Sequence, residues 1–160
     1  MNSPKRGQLK WLWMAILVIA IDLLTKYLAH IYLNYGQPLY VLPFFNLTLL
    51  HNYGAAFSFL SNQETLWQVI VLSAIAIAVA VGIIIWLWRL PKDKNVFAFS
   101  LSLILGGALG NVYDRLIHGY VVDFLDFHIG VYHWPAFNVA DSAICIGVAI
   151  IIISGFFAKD

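Results

Sequence analysis

Two aspartates, Asp123 in GYVVDFLDF and Asp141 in FNVADSA, stand without a lysine or arginine near them in sequence. Two carboxyl groups brought to one site cannot both ionise easily, because like charges repel, and one of them then keeps its proton. The protonated member can donate to a carbonyl oxygen while the ionised member takes a proton from water. Such a pair cleaves an amide in the manner of the aspartic proteases, with neither a protein nucleophile nor a metal. The residue types alone leave a transporter or proton channel open as well, since those also place acids in membranes.

The other polar groups read as support for that pair. Asp22 and Lys26 are four apart on one helical turn and can pair with each other. Asn111, Asp114 and Arg115 in GNVYDR share one side of a helix, and an arginine beside Asp114 keeps that carboxylate ionised, so it makes a poor proton shuttle. Asn138 precedes Asp141 by three residues and can hydrogen-bond to it.

Competing chemistries fit less well. A Ser–Lys hydrolase would draw on Lys26 with Ser58, Ser61 or Ser142, but Asp22 one turn away holds Lys26 charged and unable to act as a base. His30, His51, His118, His128 and His133 include no HExxH and no tight zinc spacing, so interfacial hydrogen bonding is the better reading. Asp123 and Asp126 form a DxxD like that of magnesium-diphosphate sites, yet that loop has no basic residue to hold phosphate. Cys145 is the sole cysteine, so no intrachain disulfide can form. A net charge of +1 and the lack of a basic stripe argue against nucleic-acid binding.

These side chains must be held in lipid. Of 160 residues, 62% are hydrophobic and 11% charged, with mean hydropathy +0.84. A soluble domain carries about 45–50% and about 25% respectively. The pattern is that of an all-α membrane protein, one domain over residues 1–160, with transmembrane helices at about 11–33, 66–88, 96–115 and 136–158. The first span is too long for a cleaved signal peptide, lacks an A-x-A-like site, and contains Asp22 and Lys26, so it reads as a retained anchor. Lys5, Arg6, Lys10, Arg89, Lys92, Lys94 and Lys159 flank one side, which places both termini in the cytoplasm and the loops 31–65 and 116–134 outside. Trp11, Trp13, Trp86 and Trp88 would form the inner aromatic belt, and Trp67 and Trp134 the outer one.

Residues 39–59 and 124–134, rich in aromatic and β-favouring types, predict short strands or an interfacial platform against the outer leaflet. Gly106 and Gly110 form a GxxxG that suits close helix packing. With its helix starting at about 136, Asp141 is expected one to two turns inside the fourth span, roughly 9 Å below its start at about 1.5 Å per residue.

Five boxes in order then carry a resemblance across nearly the whole chain: DLLTK at 22–26, NYGAAF at 52–57, GGALGNVYDR at 106–115, VVDF at 121–124 and FNVADS at 137–142. The chain resembles the lipoprotein signal peptidase (signal peptidase II) family of bacterial membrane aspartic proteases. The resemblance implies that Asp123 and Asp141 are the catalytic dyad, and that Asn52, Gly54, Asn111, Arg115 and Asn138 support the dyad or line the substrate pocket. It also places Asp22 and Lys26 in a family box read as structural support, beside Asp114. It implies a diacylglyceryl-modified prolipoprotein as substrate, cleaved just before the lipidated cysteine. It further implies no cofactor, inhibition by cyclic peptide antibiotics, membrane lipid as a partner, and residence in the bacterial inner membrane with the active site facing the outer leaflet.

Overall fold

The computed structural model describes residues 7–54 and 66–157. Ser58 and Ser61 and the part of the NYGAAF box from Ala55 onward lie outside them.

Four helices, each long and apolar enough to cross a membrane, form the body: α1 (Leu12–Tyr32), α2 (Leu66–Arg89), α3 (Asn95–His118) and α4 (Val139–Phe157). α3 is the central and most buried of them, touching the other three. Its sequence explains why. A Cβ on Gly106 would meet Ala15 and Val18 of α1, one on Gly107 would strike the Ala140 carbonyl of α4, and one on Gly110 would come within 2.7 Å of the Asp22 carboxylate. The GxxxG is therefore a close-packing surface, as lipid-embedded helices need where no hydrophobic force drives association. Ser100 and Ser102, fully buried in α3, donate back to the Val96 and Ala98 carbonyls, so these two hydroxyls are met within their own helix. Large apolar side chains such as Ile70, Ile75 and Trp88 of α2 point outward, as lipid contact requires.

At the end of the bundle where α1 stops and α4 begins, a four-stranded antiparallel sheet is laid across the helices in the order β1 (Leu39–Leu42), β2 (Phe45–Asn52), β3 (Val121–Ile129), β4 (Tyr132–His133). This is the extended platform anticipated from the aromatic segments. The register pairs Leu50 with Asp123 and Asn52 with Val121. β3 is also tied to the strap entering α4: Phe124 and Leu125 donate to the Phe137 carbonyl, and Phe137 donates to that of Leu125.

Two helix ends differ from expectation. α3 runs on to His118, where Gly119 (φ 81°) takes the left-handed conformation and its N–H caps the Arg115 carbonyl. α4 begins at Val139 rather than about 136, because the 135–138 strap is extended against β3. Asp141 consequently sits in the first turn of α4, at the mouth of the bundle and not one to two turns within it.

Candidate active site

Asn138 closes α4 as a reciprocal cap. Its Oδ1 accepts the Asp141 N–H at 2.9 Å, and Asp141 Oδ2 accepts the Asn138 N–H at 3.3 Å. The same residue reaches β3, where its Nδ2 donates to Asp123 Oδ1 at 2.8 Å. One fully buried asparagine therefore bridges the two carboxyl groups that the sequence left without a neighbouring base. Each acid has a second amide donor. Asn52 Nδ2 donates to Asp123 Oδ2 at 2.9 Å, and Asn111 Nδ2 donates to Asp141 Oδ1 at 2.7 Å. Gly54 (φ 100°) fixes Asn52 from behind, its N–H donating to Asn52 Oδ1 at 2.8 Å; an added Cβ there would touch Leu72 at 3.0 Å in a backbone conformation that suits glycine.

Asn111 is held in turn. Lys26 Nζ donates to its Oδ1 at 3.0 Å, so its amide nitrogen is the end left to face Asp141. Lys26 is only 3% exposed and carries two further contacts, to Asp22 at 2.7 Å and Asp114 at 2.9 Å. Asp22 accepts the Ala140 N–H at the start of α4, and Asp114 accepts the Val122 N–H of β3. The buried charges are thus a triad, each carboxylate gripping the backbone of an element that carries one of the paired acids.

The pairing of Asp114 with Arg115 is corrected by this geometry. Consecutive residues on a helix point about 100° apart, so Asp114 turns inward to Lys26 while Arg115 turns toward the paired acids. The Arg115 guanidinium donates to the Asn111 carbonyl at 3.4 Å and lies within electrostatic reach of Asp141, Asp123 and Asp114. The two acids that have no base near them in sequence have one in space.

Asp123 is 3% exposed, and burial pushes its carboxyl up to about 7, with the Asp141 charge adding to the rise against the opposing bonds from Asn52 and Asn138. A buried acid that keeps its proton near neutrality, linked through one residue to a second acid, is the arrangement that general acid–base hydrolysis needs.

The histidines do other work. His51 stacks on Tyr120 at 3.8 Å between centroids, with His30 and His118 beside it, and burial lowers its basicity. Among the described residues no group of three His, Cys, Asp or Glu side chains is arranged to hold a metal. Asp126 belongs to a separate network with Thr48, Asn46 and His133, so the DxxD spacing does not make one site. The two backbone donors, Val122 and Ala140, leave no signal in residue type and were not legible before the chain was folded. Ser142 donates to the Asn138 carbonyl and is committed to the cap.

A multi-pass bundle with paired carboxyl groups at one end defines a membrane hydrolase of the aspartic type. Comparison with known proteins gives its family. The family model for signal peptidase (SPase) II matches residues 14–157. The chain is 56% identical to the lipoprotein signal peptidase of Francisella tularensis subsp. mediasiatica, covering 96% of each chain, and 52% identical to that of Vibrio cholerae serotype O1, covering 97% of this chain and 91% of the other. Two bacterial membrane enzyme structures solved by the in meso method, at 1.9 and 2.3 Å resolution, superpose with a TM-score of 0.80 at 33% and 31% identity over at least 99% of each chain. The chain belongs to the signal peptidase II family and is a multi-pass bacterial membrane protein.

Proposed function

We propose that this protein removes the signal peptide from diacylglyceryl-modified prolipoproteins by hydrolysing the bond just before the lipidated cysteine, with Asp123 and Asp141 as the water-activating pair. The observation that carries the reading is the Asn138 bridge between the two carboxyl groups beside a strongly perturbed Asp123.

In this mechanism Asp123 enters protonated and donates to the scissile carbonyl oxygen, while Asp141, as carboxylate, takes a proton from the water whose oxygen bonds to the carbonyl carbon. The diol that forms collapses as its C–N bond breaks. The leaving nitrogen takes the proton held on Asp141, and Asp123 recovers one from a diol hydroxyl. Arg115 stabilises the negative charge of the pair, and Asn52, Asn111 and Asn138 hold both acids in place. No cofactor enters any step.

The lipidated cysteine is anchored in the outer leaflet, with both termini of the enzyme cytoplasmic and the sheet on the opposite side. Membrane lipid surrounds the bundle, and cyclic peptide antibiotics act as inhibitors. A transporter is disfavoured because Asp22, Lys26, Asn111, Asp114, Arg115 and Asp141 gather at the sheet end, whereas the charge-free sequence of α2 up to Arg89 offers no conduit.

The test is incubation of the purified full chain with lipidated and unlipidated precursor, with and without chelator. Cleavage of the lipidated precursor alone, indifferent to chelator, is expected. Cleavage of both forms, or loss of cleavage on chelation, overturns the proposal.

A further inference from the structure

The half of β3 remote from Asp123 carries a second buried carboxylate that the reaction does not use. Asp126 Oδ2 accepts Thr48 Oγ1 at 2.9 Å and Asn46 Nδ2 at 3.5 Å, and its Oδ1 lies 2.7 Å from His133 Nδ1. Burial pushes the Asp126 carboxyl up, but the hydrogen bonds from His133, Thr48 and Asn46 outweigh it and hold the group below its ordinary range. An ionised Asp126 accepts the Nδ1–H of His133, and that commits the imidazole to present Nε2 on its other side.

His133 is half exposed and stands in the wall of an open groove of about 730 Å³. Most of the remaining wall is aromatic, from Phe44, Phe127, Tyr132, Trp134 and Phe137, with Ile129 beside them. The His128 ring stacks against His133 with centroids 5.0 Å apart and planes 21° apart, which fixes the ring a second time. The titratable groups facing His133 are Asp126 and His128 from β3 and Tyr132 from β4.

The position of the groove identifies its occupant. Phe137 lies two residues before α4 begins, so the groove is level with the start of a membrane span, where lipid headgroups meet aromatic side chains. Ile129, Val131 and Tyr132 at the hairpin tip are 84%, 85% and 82% exposed, and Ile129 and Tyr132 also line the groove, so its rim is apolar. The residues that line the groove include no lysine or arginine, so an imidazole is the donor available to an anion here.

We propose that a phospholipid of the surrounding leaflet docks in this groove, its acyl chains against the aromatic wall and a phosphodiester oxygen accepting the Nε2–H of His133, with Asp126 as the residue that positions the ring. On phosphate binding the imidazole lies as an imidazolium between two anions, a charge-assisted arrangement in a site partly screened from water. Neither paired aspartate lines the groove, and the proposal does not depend on the peptidase reading.

Native mass spectrometry of the full chain in detergent tests it. The protein is exposed to phosphatidylglycerol, to diacylglycerol of the same chains, and to phosphatidylglycerol with millimolar inorganic phosphate. Phosphatidylglycerol is expected to be retained about tenfold better than diacylglycerol, one charge-assisted hydrogen bond apart. His133→Phe keeps the stack on His128 and loses both nitrogens, so it should bring phosphatidylglycerol down to the diacylglycerol level and leave diacylglycerol unchanged. Equal retention of the two lipids by the unmodified protein overturns the proposal, even where the variant fails to fold. Undiminished phosphatidylglycerol binding by folded His133→Phe does so too, and complete displacement by inorganic phosphate would make this a free-anion site instead.

Discussion

Replacing Lys26 by methionine should cost far more than an exposed ion pair is worth. The ammonium is 3% exposed and neutralises two carboxylates, Asp22 and Asp114, that are themselves 0% and 2% exposed. Removing it leaves two uncompensated negative charges in the bundle, and breaking a buried pair in this way costs about 3–5 kcal/mol. The converse follows from the same physics. In the triple variant Asp22→Asn, Lys26→Met, Asp114→Asn, no charge remains to be desolvated, and both asparagines still offer an oxygen to the Ala140 and Val122 N–H groups. Its stability should return to within about 1 kcal/mol of the parent or exceed it. Activity should not return with it. Lys26 is one of two donors to Asn111 Oδ1, the other being Asn138 Nδ2 at 3.2 Å, and with Lys26 gone the amide that faces Asp141 is held less firmly. Loss of one such hydrogen bond, about 1.4 kcal/mol of the barrier, corresponds to about tenfold in rate. Equilibrium unfolding in mixed micelles measures the first quantity and cleavage of a lipidated precursor the second. A single variant that loses less than about 1 kcal/mol, or a triple variant no more stable than the single, would refute the reasoning about buried charge. Full activity in a stable triple variant would refute the role given to the Lys26–Asn111 bond.

Asp123→Asn and Asp141→Asn should each abolish cleavage while the protein remains folded in the membrane, and processing of a lipidated precursor by either would sink the pair. Asp114→Asn should lower activity less than Asp123→Asn, since the asparagine keeps an acceptor for Val122; an equal loss at unchanged expression would reverse the ranking of the two acids. With its carboxyl raised to about 7, Asp123 holds its proton below that pH and loses it above, so kcat should fall as pH rises through about 7. The Asn52 bond favours the ionised form, so Asn52→Ala should move that alkaline limb upward in a pH–rate profile; a downward shift would contradict the assignment. Gly107→Ala drives a methyl into the Ala140 carbonyl and should destabilise the bundle by about 1–3 kcal/mol in the same unfolding assay, whereas Gly155→Ala, with open space around it, should change little.

Much was determined by residue type and spacing. The scarcity of charge demands lipid, and apolar runs near 20 residues mark four spans whose cores recur as α1 to α4. The richness of residues 39–59 and 124–134 in aromatic and β-favouring types marks an extended platform, because side-chain bulk is a local property, and strands form over Leu39–Leu42, Phe45–Asn52, Val121–Ile129 and Tyr132–His133. That Asp22 and Lys26 pair is local too, one helical turn apart. Partnerships between elements were not legible. Asp114 stands next to Arg115 in the chain, yet the helical rotation between neighbours sends one to Lys26 and the other toward the paired acids. The depth of Asp141 depends on where α4 starts, and that is decided by the strap at Phe137 adding to β3, a pairing twelve residues apart that composition does not encode. Which acid is raised was equally hidden, since desolvation belongs to the packed site and not to the residue. The sequence by itself determined that two aspartates lacked a local base. Only tertiary structure decided that one asparagine would join them and that an arginine from a third element would come within electrostatic reach of both, because hydrogen bonds and Coulomb forces act through space while the chain lists its residues along a line.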